Sequence, residues 1–155
     1  NQGYAIAKYR NVDVNGVPGS DPTGDFPDTD FPMFRLADAY LMYAEATLRG
    51  GGGNVGTAVG FINQLRERAY GDTSGNITAG DLTLNFILDE RARELYWEMH
   101  RRTDLIRFGQ FSDQGIWQWK GNVPQGSTTE SFRDLMPLPA TDLGINTNLQ
   151  QNPGY

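Results

Sequence analysis

Apolar residues recur in steps of three and four along three stretches of the chain, which predicts three amphipathic helices. In the first, expected over 35–49, Phe34, Ala37, Leu41, Ala44 and Leu48 form one stripe. Leu36, Tyr40 and Tyr43 lie beside it, so this helix is expected to be covered on more than one side. Four glycines at 50–53 end it. In the second, over 55–70, Val55, Val59, Ile62, Leu65 and Ala69 keep the same step, and Gly71 is a stop signal. Gly56 and Gly60 lie one turn apart inside it, and glycine costs a helix about 1 kcal/mol relative to alanine. Close approach of the first helix would account for that cost. The two stretches therefore predict an antiparallel hairpin packed through Ala44 and Gly56 or Gly60. Leu36 to Ala69 spans 34 residues, the period of a tetratricopeptide unit, although the internal motif of that repeat is not clear.

The third helix has its stripe at Leu84, Leu88, Ala92 and Leu95, with Asp81 or Thr83 available as its cap. A shorter helical piece near 101–108 stops at Gly109. Residues 1–33 read as extended or loop structure, with one alternating stretch at 3–9 that predicts a short strand. Residues 71–80 read as a loop, 116–119 as another short strand, and Leu135 to Pro139 as extended, because its two prolines forbid a helix. The expected fold class is mainly α: tetratricopeptide-like helical hairpins with long loops and a few short strands. One domain over 1–155 is expected, with a lead-in at 1–33, a helical core at 34–109 and a loop-rich tail at 110–155. Asn1 is not an initiator methionine, and a long lead-in is uncommon in a compact domain. Either a leader has been removed or the chain is a piece of a longer one.

Composition narrows the function. Nineteen acids against 13 Lys plus Arg leave a net charge of −6, and no basic run offers the clustered cations that phosphate contacts need. No apolar run approaches the roughly 20 residues of a membrane helix. The absence of cysteine removes disulfides, thiolate nucleophiles and cysteine-type zinc sites, and the single histidine, His100, removes multi-histidine metal sites. No phosphate loop and no nucleophile elbow occurs.

Three segments could carry chemistry. The densest charge lies at Glu90, Arg91, Glu94, Glu98, Arg101, Asp104 and Arg107. Glu90, Glu94 and Glu98 share one face of a helix, and two carboxylates at that spacing reach the lower end of the glycosidase acid–base separation, about 5–9.5 Å. Stacked like charges repel unless cations lie among them, so an ion network joining the helices is the simpler account, with Glu90, Glu94 and Asp104 paired to Arg91, Arg101 or Arg107. The loop from Asn11 to Gly16 starts like an EF-hand, but its twelfth position is Pro22 instead of glutamate, so that reading fails. Another calcium site among the aspartates at 21–30, or simply solvated loop acids, remains open. Trp117 and Trp119 would share a face of an extended segment, either as a platform for a sugar ring or as part of a core-covering strand.

These residues also resemble a known family. The stretch FPMFRLADAYLMYAEA at 31–46 looks like the first helix signature of SusD/RagB nutrient-uptake lipoproteins. INQLRERA at 62–69 is similar to the second, and ERAREL at 90–95 with Glu98, Arg101 and DLIRFG at 104–109 to the third. LMPLP at 135–139 and QNPGY at 151–155 are similar to the end of such chains. Met99 stands where the family usually has glycine, so a softer or shifted bend is expected there. The resemblance implies a C-terminal portion of a lipoprotein on the outer face of the outer membrane, lipid-anchored through its missing N-terminal part. It implies noncatalytic binding of a nutrient, a glycan or sometimes a peptide, partnership with a SusC-like TonB-dependent transporter, and no cofactor. It also places most ligand contacts outside this piece, so weak or no binding is expected of the chain, with Trp117 and Trp119 the local candidates. The competing readings are a tetratricopeptide-like protein–protein interaction module and, less favoured, a glycoside hydrolase using the Glu90–Glu98 row.

Overall fold

The computed structural model describes residue 6 and residues 8–155, and the chain divides into two compact units, 1–99 and 100–155. The expected strand at 3–9 lies mostly outside the described residues. Of the five α-helices among the described residues, three build the first unit: α1 (Leu36–Leu48), α2 (Val55–Tyr70) and α3 (Leu84–Glu94). The other two, α4 (Arg101–Arg107) and α5 (Ala140–Ile145), belong to the second. Single-turn 3-10 segments occur at 73–75, 120–122 and 131–134. Among the described residues β structure is limited to isolated bridges, Val12 with Pro18 and Trp117 with Ser127. The mainly helical fold class is the one the hydrophobic periodicity predicts.

The hairpin of α1 and α2 forms because each helix ends where its signals say it should. Gly51 N–H donates to the Ala46 carbonyl at 2.8 Å and Gly50 N–H to that of Thr47 at 3.2 Å, which closes α1 with a Schellman turn. Asn54 caps α2 by accepting from Thr57 N–H at 2.9 Å. The seam consists of Ala37, Leu41 and Ala44 against Ala58 and Ile62, all buried, with Leu65, Leu82, Ile87 and Leu95 completing the core. Phe61 stacks on Tyr40 (centroids 4.2 Å) and meets Tyr43 edge-on (5.2 Å). The Tyr43 hydroxyl accepts from Asn54 N–H at 3.0 Å, which ties the flank of α1 to the start of α2.

Three expectations are corrected. Gly56 and Gly60 are exposed and lie off the seam: a Cβ on Gly60 would meet nothing within 4 Å, and one on Gly56 only its own cap residue, Asn54. The small residue that α2 contributes to the core is Ala58, and Phe34 (90% exposed) and Ala69 stand outside their stripes. The third helix stops at Glu94, so Glu98 lies in the following turn rather than on the helix face. The bend there is not softened, because Met99 itself adopts the left-handed backbone, with φ 65°, as does Trp97 with φ 61°.

Two long loops are held by carboxamides that act as substitute strand partners. Asn63 on α2 accepts from Ile77 N–H (2.8 Å) and donates to its carbonyl (3.1 Å), pinning the 71–80 loop. Gln151 does the same to Leu138, accepting at 2.8 Å and donating at 3.0 Å. Pro137 and Pro139 have no N–H, so Leu138 supplies the one backbone donor between them. Asn152 donates to the Met136 carbonyl at 2.7 Å and the Tyr155 hydroxyl to that of Leu135 at 2.9 Å. Gly154 makes this approach work: its φ is +94°, and a Cβ there would sit 2.4 Å from Phe132, whose ring Tyr155 meets edge-on. The last five residues thus satisfy a proline-rich segment that no sheet could take.

Two stability changes follow. Gly60→Ala, in a helix interior with open space around it, raises stability by about 0.5–1 kcal/mol in chemical denaturation. Met99 is 86% exposed and pays the left-handed penalty without burying its side chain, so Met99→Gly raises stability by about 1 kcal/mol. A lowered melting temperature for either variant would contradict the assignment.

Candidate functional site

The carboxylates of the charged segment meet cations supplied by other elements. Glu90 accepts from Arg66 of α2 at 2.8 Å and from Arg93 at 2.6 Å. Glu94 accepts from Arg35, at the foot of α1, at 2.9 Å and from Arg68 of α2 at 2.6 Å. Glu98 accepts from the Arg35 Nη2 at 2.7 Å and Nε at 2.8 Å, and from the Lys8 ammonium. Arg91 reaches Asp38 of α1 at 2.8 Å, with both side chains nearly enclosed. In the second unit Asp104, 1% exposed, pairs with Arg107 at 2.8 Å. The expected partners are thus corrected for Glu90 and Glu94. Arg91 is one residue from Glu90 and points from α3 toward α1, because residues adjacent in sequence diverge by about 100° around a helix. Asp104 and Arg107 do meet.

Lys8, Arg35, Arg66, Arg68 and Arg93 are the partners that sequence reasoning missed. Arg66 and Arg68 stand in the stretch at 62–69 and Arg35 in that at 31–46, but only the packing of α1 and α2 on α3 shows which acid each one faces. Burial works against ionisation of Glu98, whose side chain is 1% exposed. Hydrogen bonds from Arg35 and Lys8 outweigh it, so its carboxyl titrates below the usual glutamate value. Each of the three glutamates is thus held between two cations, and Glu94 and Glu98 with their partners Lys8, Arg35 and Arg68 line a shallow cleft of about 270 Å³.

The loop acids organise their own turns. Asp13 accepts from Asn15 and Val17 N–H, both at 2.8 Å. Asp21 accepts from the Thr23 hydroxyl and from the N–H of Phe26, Thr23 and Asp25, which holds its carboxyl down to about 2. Asp28 accepts from Ser20 through both N–H (2.7 Å) and hydroxyl (2.9 Å). Among the described residues no group of three His, Asp or Glu is arranged to hold a metal.

The indoles separate. Trp117 is bridged to Ser127, but Trp119 has φ 65° and starts a 3-10 turn, so the pair does not share the face of a strand. The Trp117 Nε1–H donates to the Phe111 carbonyl at 3.1 Å, and its ring meets Phe111 edge-on at 5.5 Å. The Arg102 guanidinium covers Phe111 at 4.8 Å. Trp117 thereby closes one wall of a cleft of about 430 Å³ in the second unit, with Leu105 and Arg101 of α4, Gln110, Gln114 and Ile116 around it. Trp119, 65% exposed, does not line it.

The architecture defines the class: a mainly helical, hairpin-based domain shared with solved SusD superfamily structures. Similar chains include a surface glycan-binding protein A of Bacteroides thetaiotaomicron (TM-score 0.67, 25% identity, 82% of this chain and 25% of that one). A SusD superfamily protein of the same species gives TM-score 0.65 at 32% identity, over 84% of this chain and 29% of that one. In sequence the chain matches the SusD family over residues 1–155, and it belongs to that family. It is 43% identical to the starch-binding protein SusD of Bacteroides thetaiotaomicron over 99% of its own length and 26% of the relative. It is 33% identical to a SusD-like protein of Formosa agariphila over 97% of this chain and 28% of that one. The chain thus spans about a quarter of the length of these relatives.

The Glu98 contacts carry a pH-dependent prediction. A carboxyl lowered in the folded state contributes stability that is complete above its unfolded value, near 4.5, and is lost as pH falls through the folded value. Stability therefore falls in acid below about pH 4.5, and Glu98→Gln flattens that fall while costing about 1.5–3 kcal/mol at neutral pH, because Arg35 keeps Glu94 but its charge-assisted bonds to Glu98, and that of Lys8, are weakened. A neutral-pH loss under about 1 kcal/mol would mark the pair as solvated.

Proposed function

We propose that this chain is the C-terminal portion of a lipid-anchored protein on the outer face of a bacterial outer membrane. In this reading the whole protein binds a glycan, delivers it to a SusC-like TonB-dependent transporter and does not cleave it. The observation that carries the reading is the 43% identity, along 99% of the chain, to a protein named for starch binding. The structural likeness to a surface glycan-binding protein supports it. The carboxylates support the noncatalytic part, since Glu90, Glu94 and Glu98 are each engaged by two cations. No helix among the described residues is long and apolar enough to cross a membrane.

The test uses the full-length protein. Calorimetry with maltoheptaose and a panel of other neutral oligosaccharides is expected to show binding, with no reducing ends released on prolonged incubation, and affinity purification from outer membranes is expected to bring down a large TonB-dependent barrel. Absence of binding to every sugar would overturn the glycan reading. Sugar release abolished by Glu90→Gln would overturn the noncatalytic one.

A further inference from the structure

The cleft beside Trp117 carries two carboxamides, those of Gln110 and Gln114, that the fold leaves unspent. The volume of about 430 Å³ falls in the range of small-ligand sites, about 300–1,000 Å³. Its floor is made by the end of α4. Gly109 N–H donates to the Ile106 carbonyl at 3.0 Å and Gln110 N–H to that of Leu105 at 2.7 Å, a Schellman turn that leads the chain back alongside its own helix. Gly115 lets the loop close over that turn, since a Cβ there would lie 2.3 Å from the Gln110 carbonyl oxygen. Trp117 is fixed at two points, by its indole N–H on Phe111 and by its backbone exchange with Ser127. A ring held this way loses little further freedom when a ligand lies against it.

The polar lining is selective in kind. Gln110 and Gln114 have backbone partners, but their side-chain carboxamides make no hydrogen bond to the described protein, and each offers both a donor and an acceptor. Arg101 is the one cation in the lining, and no carboxylate lines the cleft. Leu105, Ile116 and the indole supply an apolar wall. A pyranose ring has the complementary chemistry: an apolar C–H face, and an equatorial belt of hydroxyls that each donate and accept. A wall of aromatic and aliphatic carbon next to carboxamides matches that combination. An anionic ligand would find a single cation, and a cationic one no counter-charge.

We propose that the α4 cleft, with Trp117 as platform and Gln110 and Gln114 as hydroxyl-reading groups, is a subsite for one or two units of a neutral oligosaccharide. Trp119 takes no part. The subsite rests on the reading of the whole protein as a glycan binder, and it adds a contact within a chain whose family resemblance places most of the contacts elsewhere. Because no acid lines it, the subsite holds sugar without any means of protonating a glycosidic oxygen.

The full-length protein labelled with 5-fluorotryptophan tests this by fluorine NMR, with maltoheptaose as the probe and calorimetry in parallel. The Trp117 signal is identified by its loss in Trp117→Phe. It is expected to shift progressively with sugar, and the double variant Gln110→Ala, Gln114→Ala, with an unchanged melting temperature, is expected to need about 10-fold more sugar for the same shift, in line with the loss of two modest hydrogen bonds. Calorimetric binding with a stationary Trp117 signal would overturn the subsite while leaving the glycan reading intact. A shift that the double variant reproduces at the same sugar concentration would overturn the assigned role of the glutamines. No calorimetric binding to maltoheptaose or to the rest of the neutral panel would overturn both the subsite and the reading beneath it.

Discussion

The first unit depends on how α3 presents negative charge to the hairpin of α1 and α2. Arg35, at the foot of α1, holds Glu94 and Glu98 together, while Arg66 and Arg68 reach across from α2 to Glu90 and Glu94. Asp38 and Arg91 make the reverse pair, acid on α1 and base on α3. Burying such charges is costly, and hydrophobic replacements of equal shape can be as stable. What the pairs contribute is register. The apolar seam of alanines, Leu41 and Ile62 tolerates sliding, whereas a guanidinium fork shared between Glu94 and Glu98 does not. Any shift of α3 along the hairpin would leave several enclosed charges without partners.

The second unit solves a different problem. Three of its four buried residues are polar, namely Asp104, Ser112 and Thr129, with Leu105 the exception. An interior of this kind is held by directional contacts. Ser112 donates to Asp134 at 3.0 Å, Arg102 donates to the Arg133 and Asp134 carbonyls, and Gln151 closes on Leu138. Chain termini and proline-rich stretches usually leave backbone groups to water. Here the last five residues answer them one by one. That explains why LMPLP and QNPGY occur as a matched pair in one chain: the second supplies the side chains that the first, deprived of two N–H donors, requires.

The same economy bears on ligand recognition. A unit with little apolar core can still form a rigid aromatic wall if the ring is tethered by its own N–H, as Trp117 is. Rigidity there comes from hydrogen bonding rather than from burial, so the indole remains partly exposed, at 37%, while its position is fixed. The glutamates of the first unit are the opposite case. They resemble a catalytic row in sequence, and the fold pairs each of them with two cations.

The sequence by itself determined the helices within 34–109, the hairpin and the family, but not α5 in the tail, because periodicity, caps and glycine stops act locally and the signature stretches lie in fixed order. Local rules also placed the cap at Thr83 and the stop at Gly71. They failed where a choice depended on what lies across a gap. Gly56 and Gly60 looked like a contact because spacing reports a shared face but not which way that face turns, and the fold turns it to solvent. The acids of the charged segment were legible as a network, yet Arg35, Arg66, Arg68 and Lys8 became their partners only through the packing of distant elements. Trp117 and Trp119 differ by two residues, and the turn that follows the Trp117 bridge, with Trp119 itself left-handed, was enough to send them apart. Each of these was decided by contacts between residues far apart in the chain, which no local pattern encodes.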